Sequence, residues 1–347
     1  MTVVAVIGAG HWGPNLIRNF HDNNDSSVGW VVDMDEKRLA MVQERFPDVQ
    51  VGTSIDEALA DGAVDAVVVA TPTVTHYEVV KAALEKGKHV LVEKPITTRT
   101  AEGEELCELA AKQGRVLMVG HVFVYNTAVQ RVKQYIADGH LGRTYYISMV
   151  RTNLGPIRMD VGAHWDLAAH DISIVSYWVD AEPLSVSAMG HDWINDGNVD
   201  AVFATLRYPN DMLVNLHASW LNPSKARDIT VVGDQRMLTF DDMNNLEPIR
   251  IYDKTVTDDR VSPAFVDSIA SFRASVRIGE IAIPKVALGE PLKAECLEFL
   301  RCLKEGDTPT SDGVFGTGVV RALEAMDRSI AARGREESIR PGPERDL

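Results

Sequence analysis

The chain has 347 residues, of which 45% are hydrophobic and 24% charged, with a formal net charge of −15. That length predicts two domains, and the composition is that of a globular protein. The acidic balance argues against a general affinity for nucleic acid or an anionic membrane, while leaving room for a local basic pocket. No segment reaches the ~18 uncharged apolar residues that a membrane span requires.

The first 17 residues carry no charge, but they contain Gly8, Gly10, Gly13 and Pro14 and no basic leader, so no signal peptide is expected. Val3 to Ile7 is a short apolar run of the kind found in a central parallel strand. It leads into Gly8-Ala9-Gly10-His11-Trp12-Gly13, and Leu16, Ile17 and Phe20 then recur at helical spacing behind Pro14. A GxGxxG stretch between a strand and a helix lets the backbone approach a pyrophosphate at the helix N-terminus. Gly8, Gly10, His11, Trp12 and Gly13 are therefore cofactor candidates.

A second strand, Trp30 to Val32, ends in Asp33, 20 residues past Gly13. A carboxylate there suits the adenosine ribose hydroxyls and repels a 2′-phosphate, which favours NAD over NADP. Lys37 and Arg38 stand nearby and complicate that choice, and a helix-capping role for Asp33 is the alternative. Val49 to Val51 is the third strand, followed by a capping box at Ser54 and Glu57. Ala66 to Ala70 is the fourth, ending at Thr71 and Pro72; Thr75 and Glu78 repeat the capping-box spacing. His89 to Val92 is the fifth, running into Glu93-Lys94-Pro95, and Val116 to Val119 is the sixth. Six strands with intervening helices predict a doubly wound parallel sheet, a Rossmann domain over residues 1–121. Its ligand edge collects Gly8, Asp33, Thr71, Glu93, Lys94 and His121.

Residues 122–347 change pattern and predict an α+β domain built on a mostly antiparallel sheet. Met212, Val214, Leu216, Ala218 and Trp220 alternate with Leu213, Asn215, His217 and Ser219, and Pro-Asn, Asn-Pro and Gly-Asp turns separate further strands. One sheet face is expected under helices. The other is either solvated or an oligomer interface, and Leu213 and Trp220 favour the interface. Residues 334–347 read as a loose tail. In Trp165 to Ile174, Asp166 precedes His170 by one helical turn, a spacing at which the carboxylate can orient the imidazole. A helix cap and an ordinary histidine are the plain alternative. Cys107, Cys296 and Cys302 lack metal-ligand spacing and cannot all pair, which fits reduced thiols in a cytoplasm and no metal site.

Gly8-x-Gly10-x-x-Gly13, Ala70-Thr71-Pro72 with His76, Glu93-Lys94-Pro95, Asp166-x-x-x-His170, Glu290-Pro291-Leu292 and Pro309 to Gly313 together resemble the glucose–fructose oxidoreductase/inositol dehydrogenase family (Gfo/Idh/MocA). The resemblance covers nearly the whole chain. It implies a Rossmann domain joined to an open-sheet domain, homodimers or homotetramers formed through that sheet, and a cis peptide before Pro95. It also implies Lys94, Asp166 and His170 as the catalytic group. Gly120 to Asn126, Asn153-Leu154-Gly155, Arg158, Asp160 and Trp165 to Asp171 resemble the sugar-nucleotide 3-dehydrogenase branch, with Ala169 where that branch commonly carries Pro.

The expected reaction is hydride transfer between a secondary hydroxyl, at C3 of a sugar or nucleotide sugar, and NAD. The imidazole of His170 or the Lys94 amine takes the proton, Asp166 orients His170, and Lys94 steadies the reacting oxygen. His121, Tyr125, Asn153 and Arg158 are substrate candidates, Arg158 for a diphosphate. Thr71, Pro72, His76, Glu93 and Lys94 join the cofactor set. The alternatives are a free polyol or monosaccharide dehydrogenase such as one for inositol, a ketosugar reductase, and a non-catalytic NAD sensor.

Overall fold

The computed structural model describes residues 1–155, 157–158, 161–194, 197–256 and 276–340. Asp160, named above with the branch, lies outside them. The chain divides into two compact units, one of residues 1–126 and 289–324 and the other of 127–288 and 325–347.

The first unit holds β1 (Thr2–Ile7), α1 (Gly13–His21), β2 (Ser26–Val32), α2 (Glu36–Arg45), β3 (Gln50–Gly52), α3 (Ile55–Ala60), β4 (Ala66–Val69), α4 (His76–Glu85), β5 (His89–Glu93), α5 (Thr100–Gln113) and β6 (Leu117–Gly120). All six strands run parallel in the order β3-β2-β1-β4-β5-β6. Val4 to Val6, Ala66 to Val69 and Val90 have no accessible surface, as unbroken apolar strands covered on both faces require. The order reverses between β1 and β4, the crevice where such sheets bind ligands. The Ser54 hydroxyl caps α3 by accepting from the Glu57 amide at 3.3 Å. The matching box at Thr75 does not form. Its hydroxyl donates to the Pro72 carbonyl and stands 2.8 Å from the Thr71 hydroxyl, because a single 3₁₀ turn, Thr73–Thr75, precedes α4.

The second unit contains α6 (Thr127–Ala137), β7 (Thr144–Thr152), α7 (Ala169–Val179), β8 (Ser185–His191), β9 (Ala201–Arg207), β10 (Leu213–Ser219), β11 (Ala226–Gly233), β12 (Met237–Asp241), β13 (Ile249–Val256) and β14 (Val276–Ala282). After α8 (Pro291–Glu305) and α9 (Gly313–Ala331), β15 (Glu337–Ser338) completes a nine-stranded sheet in the order β14-β13-β12-β11-β7-β10-β9-β8-β15. Its pairings are antiparallel except β7 with β10. Met212, Val214, Leu216, Ala218 and Trp220 are all buried. The opposite face exposes Tyr146, Phe203 and Leu213, and Phe203 stacks on His217 with ring centroids 4.3 Å apart.

Three expectations are corrected here. Trp220 belongs to the core and not to the open face. Residues 289–324 pack with the first unit and not with the second domain, because the apolar face of α8 lies on α1 and on the 3₁₀ turn Val122–Tyr125. The Glu290 carboxylate that opens α8 accepts hydrogen bonds from Arg18 and Asn19 of α1. Residues 334–340 are not loose, since β15 pairs with β8 and Ile339 is buried; residues 341–347 lie outside the described part.

Candidate active site

The glycine turn of the first unit is built by close approach. Gly8 has φ +101°, and a Cβ there would stand 2.6 Å from the Ala70 carbonyl oxygen; one at Gly13 would stand 2.2 Å from the Gly8 oxygen. Side chains are excluded at both positions, which keeps the backbone free to face a pyrophosphate. Pro14 fits the first turn of α1, whose unsatisfied amides favour an anion. His11 and Trp12 are exposed beside the turn.

Asp33 closes β2. Its carboxylate accepts from the Ala9 amide at 2.7 Å and from the Asp35 amide at 2.8 Å, so it braces the glycine turn. Asp35, not Asp33, caps α2. The Arg38 guanidinium lies 3.6 Å from Asp33 and 3.5 Å from Asp35. Thr71 and Pro72 stand at the end of β4 with some surface exposed. His76 does not face the ribose position. It is buried, with Nδ1 2.8 Å from the Pro95 carbonyl and Nε2 2.9 Å from the Thr71 carbonyl, and it ties two loops of the ligand edge together.

Glu93 and Lys94 end β5, and the Lys94–Pro95 peptide is cis. Burial pushes the Glu93 carboxyl up to about 7, against the pull of Lys94 beside it. Glu93 pairs with Gly120 across the sheet, and a Cβ on Gly120 would lie 3.3 Å from Glu93 Oε2, so glycine leaves room for the carboxyl. His121 follows with no exposed surface, its ring edge-on to Phe315 at 5.6 Å. Burial first, and then the Lys94 charge, push its imidazole down to about 3 and keep it neutral. Tyr125, expected at the substrate, is buried instead, its hydroxyl 2.9 Å from the Ser311 hydroxyl. Ser311 donates in turn to the Val119 carbonyl at 2.6 Å. The Pro309-to-Gly313 stretch thus fastens the chain to β6, and Asp312 caps α9 by accepting from the Phe315 amide at 2.8 Å.

The second unit carries the Asp166–His170 segment. His164–Ala168 is a π-helical turn that passes into α7 at Ala169, so the regular one-turn alignment of Asp166 with His170 expected from spacing alone is altered. Two bonds tie this turn to α9: Asp327 Oδ1 is 2.6 Å from His164 Nε2, and Asp327 Oδ2 accepts from Trp165 Nε1 at 2.9 Å. Arg158 donates to Asp166 at 3.2 Å. The guanidinium expected at a diphosphate is therefore engaged by the carboxylate one residue type earlier in the proposed reaction group. Asn153 donates its side-chain amide to the Gly155 carbonyl. Beneath α7, Asp171 forms a buried ion pair with Arg151 at 2.7 Å, which anchors the helix start to β7; burial still raises the Asp171 carboxyl. Sequence reading missed Glu295, Ser311 and Asp327. Only Ser311 carried a signal, as a member of the Pro309-to-Gly313 stretch.

A glycine turn at the switch point, an acidic residue closing β2 and a Lys ending β5 define a dinucleotide-binding oxidoreductase unit. The family model for the oxidoreductase family with NAD-binding Rossmann fold, GFO_IDH_MocA, matches residues 2–121, and that for the GFO/IDH/MocA C-terminal domain matches residues 129–239. The chain belongs to the Gfo/Idh/MocA family of oxidoreductases and carries its NAD-binding Rossmann domain.

It is 27% identical to UDP-N-acetylglucosamine 3-dehydrogenase of Acidithiobacillus ferrooxidans over 330 residues, 94% of this chain and 96% of that protein. The solved structure of that dehydrogenase matches with a TM-score of 0.81 and 28% identity, covering 96% of this chain and 98% of the other. Myo-inositol 2-dehydrogenase of Thermotoga maritima is 24% identical over 320 residues, 85% of this chain and 93% of that protein. A Bordetella pertussis dehydrogenase solved in complex with NADH and UDP-GlcNAcA shares the fold, with a TM-score of 0.78 at 21% identity, over 99% of this chain and all of that one.

Proposed function

We propose that the protein is an NAD-dependent dehydrogenase of a secondary hydroxyl at C3 of a nucleotide sugar. The observation that carries the reading is similarity to a UDP-N-acetylglucosamine 3-dehydrogenase over 94% of this chain, in a sequence that itself carries Lys94, Asp166 and His170. The glycine turn fits NAD, because Cβ atoms at Gly8 and Gly13 would strike backbone and only a bare main chain fits there. Gly8, Gly10 and Gly13 would hold the pyrophosphate and Asp33 the ribose, with His11, Trp12, Thr71, Pro72 and Glu93 around them. Bound NAD supplies the acceptor for the hydride that leaves the carbinol carbon.

The chain's own part is to place the hydroxyl and move one proton. His170 takes that proton, since an imidazole can serve as a general base. Lys94 donates to the same oxygen as its negative charge develops. Asp166 sets the orientation of this group, and Arg158 balances the Asp166 charge and would reach the substrate's phosphates with its remaining donors. The open sheet face, with Tyr146, Phe203 and Leu213 exposed, serves as a homodimer or homotetramer interface. Three free thiols fit a cytoplasmic location.

A second reading, oxidation of a free polyol, draws on the similarity to myo-inositol 2-dehydrogenase. UDP separates the two. With NAD present, UDP at ~100 times its Kd should stabilise the fold by ~2.7 kcal/mol. Protection by free inositol, with none by UDP or UDP-sugars, would replace the first reading with the second. A kcat/KM for NADP above that for NAD would overturn the role given to Asp33.

A further inference from the structure

In the second unit the chain enters α7 through the π-helical turn His164–Ala168. Such turns are uncommon, and something outside the local sequence has to favour the wider spacing. Gly162 makes room for it. A Cβ at that position would lie 2.9 Å from His164 Cε1 and 3.0 Å from His164 Nδ1, so the imidazole fills the space that another residue's side chain would take. The Gly162 carbonyl accepts from the Asp166 amide at 3.2 Å, and the Ala163 amide donates to the Val199 carbonyl at 2.7 Å.

Asp327, on α9, supplies the grip. One oxygen of its carboxylate lies 2.6 Å from His164 Nε2, and the other accepts from Trp165 Nε1 at 2.9 Å. A carboxylate only accepts, so Nε2 carries the hydrogen of the first bond. Successive side chains on a regular helix point ~100° apart. One carboxylate that holds two successive rings therefore fixes the rotation of the turn, which a single bond would leave free to roll. Both rings are buried, so water does not readily replace either bond. The next residue is Asp166, whose carboxylate accepts from Arg158 at 3.2 Å.

We propose that Asp327 is a positioning residue: by gripping His164 and Trp165 together it holds the π turn, and so sets the bearing of Asp166 toward His170. The inference rests on the reading of Asp166 and His170 as members of the reacting group. Asp327 acts through the turn and not on the reacting atoms.

Asp327→Asn is the sharpest variant. Asparagine keeps the size but offers one accepting oxygen, and its NH₂ group would meet His164 only if the imidazole moved its hydrogen to Nδ1. That nitrogen is buried and has no hydrogen-bond partner among the described residues, so the exchange is unfavourable. The grip itself is read without activity. In proton NMR spectra of the full-length protein, the indole N–H resonance of Trp165 is the one missing from Trp165→Phe. It should move in Asp327→Asn, because the atom that accepts from it loses its charge. An unmoved resonance would overturn the grip.

The role is read by kinetics. Asp327→Asn should lower kcat about tenfold, with KM for NAD within about threefold. The acid limb of its kcat profile should move to lower pH, since a carboxylate no longer aimed at the imidazole supports the protonated form less. Trp165→Phe removes one bond of the two and should lower kcat about threefold. Asp327→Glu keeps both accepting oxygens and should recover part of the activity lost in Asp327→Asn. A melting curve for each variant confirms folding. A lower melting temperature with an unchanged kcat and pH profile would overturn the positioning role and leave a stabilising contact. If His170→Ala kept full activity, the reading of the reacting group would fail and the positioning role with it, whereas the Trp165 resonance judges the grip by itself.

Discussion

The Lys94 end of β5 and the Asp166–His170 turn carry the groups proposed for the reaction, and each is held in its own way within its own unit. On the Lys94 side His121 has no exposed surface, and burial first, then the Lys94 charge, keeps it neutral. The Asp166 turn is held by polar bonds to side chains that keep some solvent contact, Arg158 and Asp327. The first half is set by desolvation and the second by directed hydrogen bonds. They should therefore fail differently under mutation.

The largest expected effect comes from removing the groups themselves. Lys94→Met and His170→Ala should each lower kcat by roughly 10²–10⁴-fold while NAD binding, measured by fluorescence titration, persists. A loss of only a few-fold in both would remove the proposed roles. Asp327→Ala tests the polar half alone. It releases His164 and Trp165 together, and with them the π-helical turn, and kcat should fall roughly 10–100-fold because placement errors near 1 Å are that costly. NAD affinity should hold. A variant with wild-type kcat would show that the turn keeps its shape without the Asp327 bonds.

The smallest effect probes the apolar half through pH. His121 is neutral when folded, its pKa pushed down to about 3, while the unfolded chain binds a proton near 6.5. Its contribution to stability is thus present above about 6.5 and is lost as pH falls toward 3. Glu93 acts in the opposite sense. Its folded carboxyl is raised to about 7, so stability falls as pH climbs from about 4.5 to 7. His121→Phe removes the first slope and leaves the second, so its melting temperature should drop less than that of the wild type between about pH 7 and pH 5. Parallel pH curves for the two proteins would rule out a buried neutral His121.

The first unit was legible because its signals are local. A strand, a glycine turn and a helix start are neighbours in sequence, and Asp33 and Lys94 end strands whose apolar runs announce themselves. The alternation in β10 likewise placed Trp220 on the same face as Met212 and Val214, and its burial takes it out of the open face, where Leu213 remains. The Asp166 turn was less legible. Five residues are too few for periodicity to separate a π turn from an α turn, and the carboxylate that bonds this turn comes from α9, far along the chain. His76 and Tyr125 were assigned to ligands because they flank motif residues, whereas their polar atoms bond to carbonyls and to Ser311.

The sequence by itself determined the strand order of chemistry in the first unit: the glycine turn, the acidic end of β2 and the Lys that closes β5. Those depend on steric exclusion and on short-range periodicity. Only the tertiary structure decided that 289–324 returns to that unit, and it thereby buried Glu295. An amphipathic helix carries its apolar stripe in its sequence but not the identity of the surface that will cover it. The charge state of a buried carboxyl depends on that surface, and so became readable only once the helix was in place.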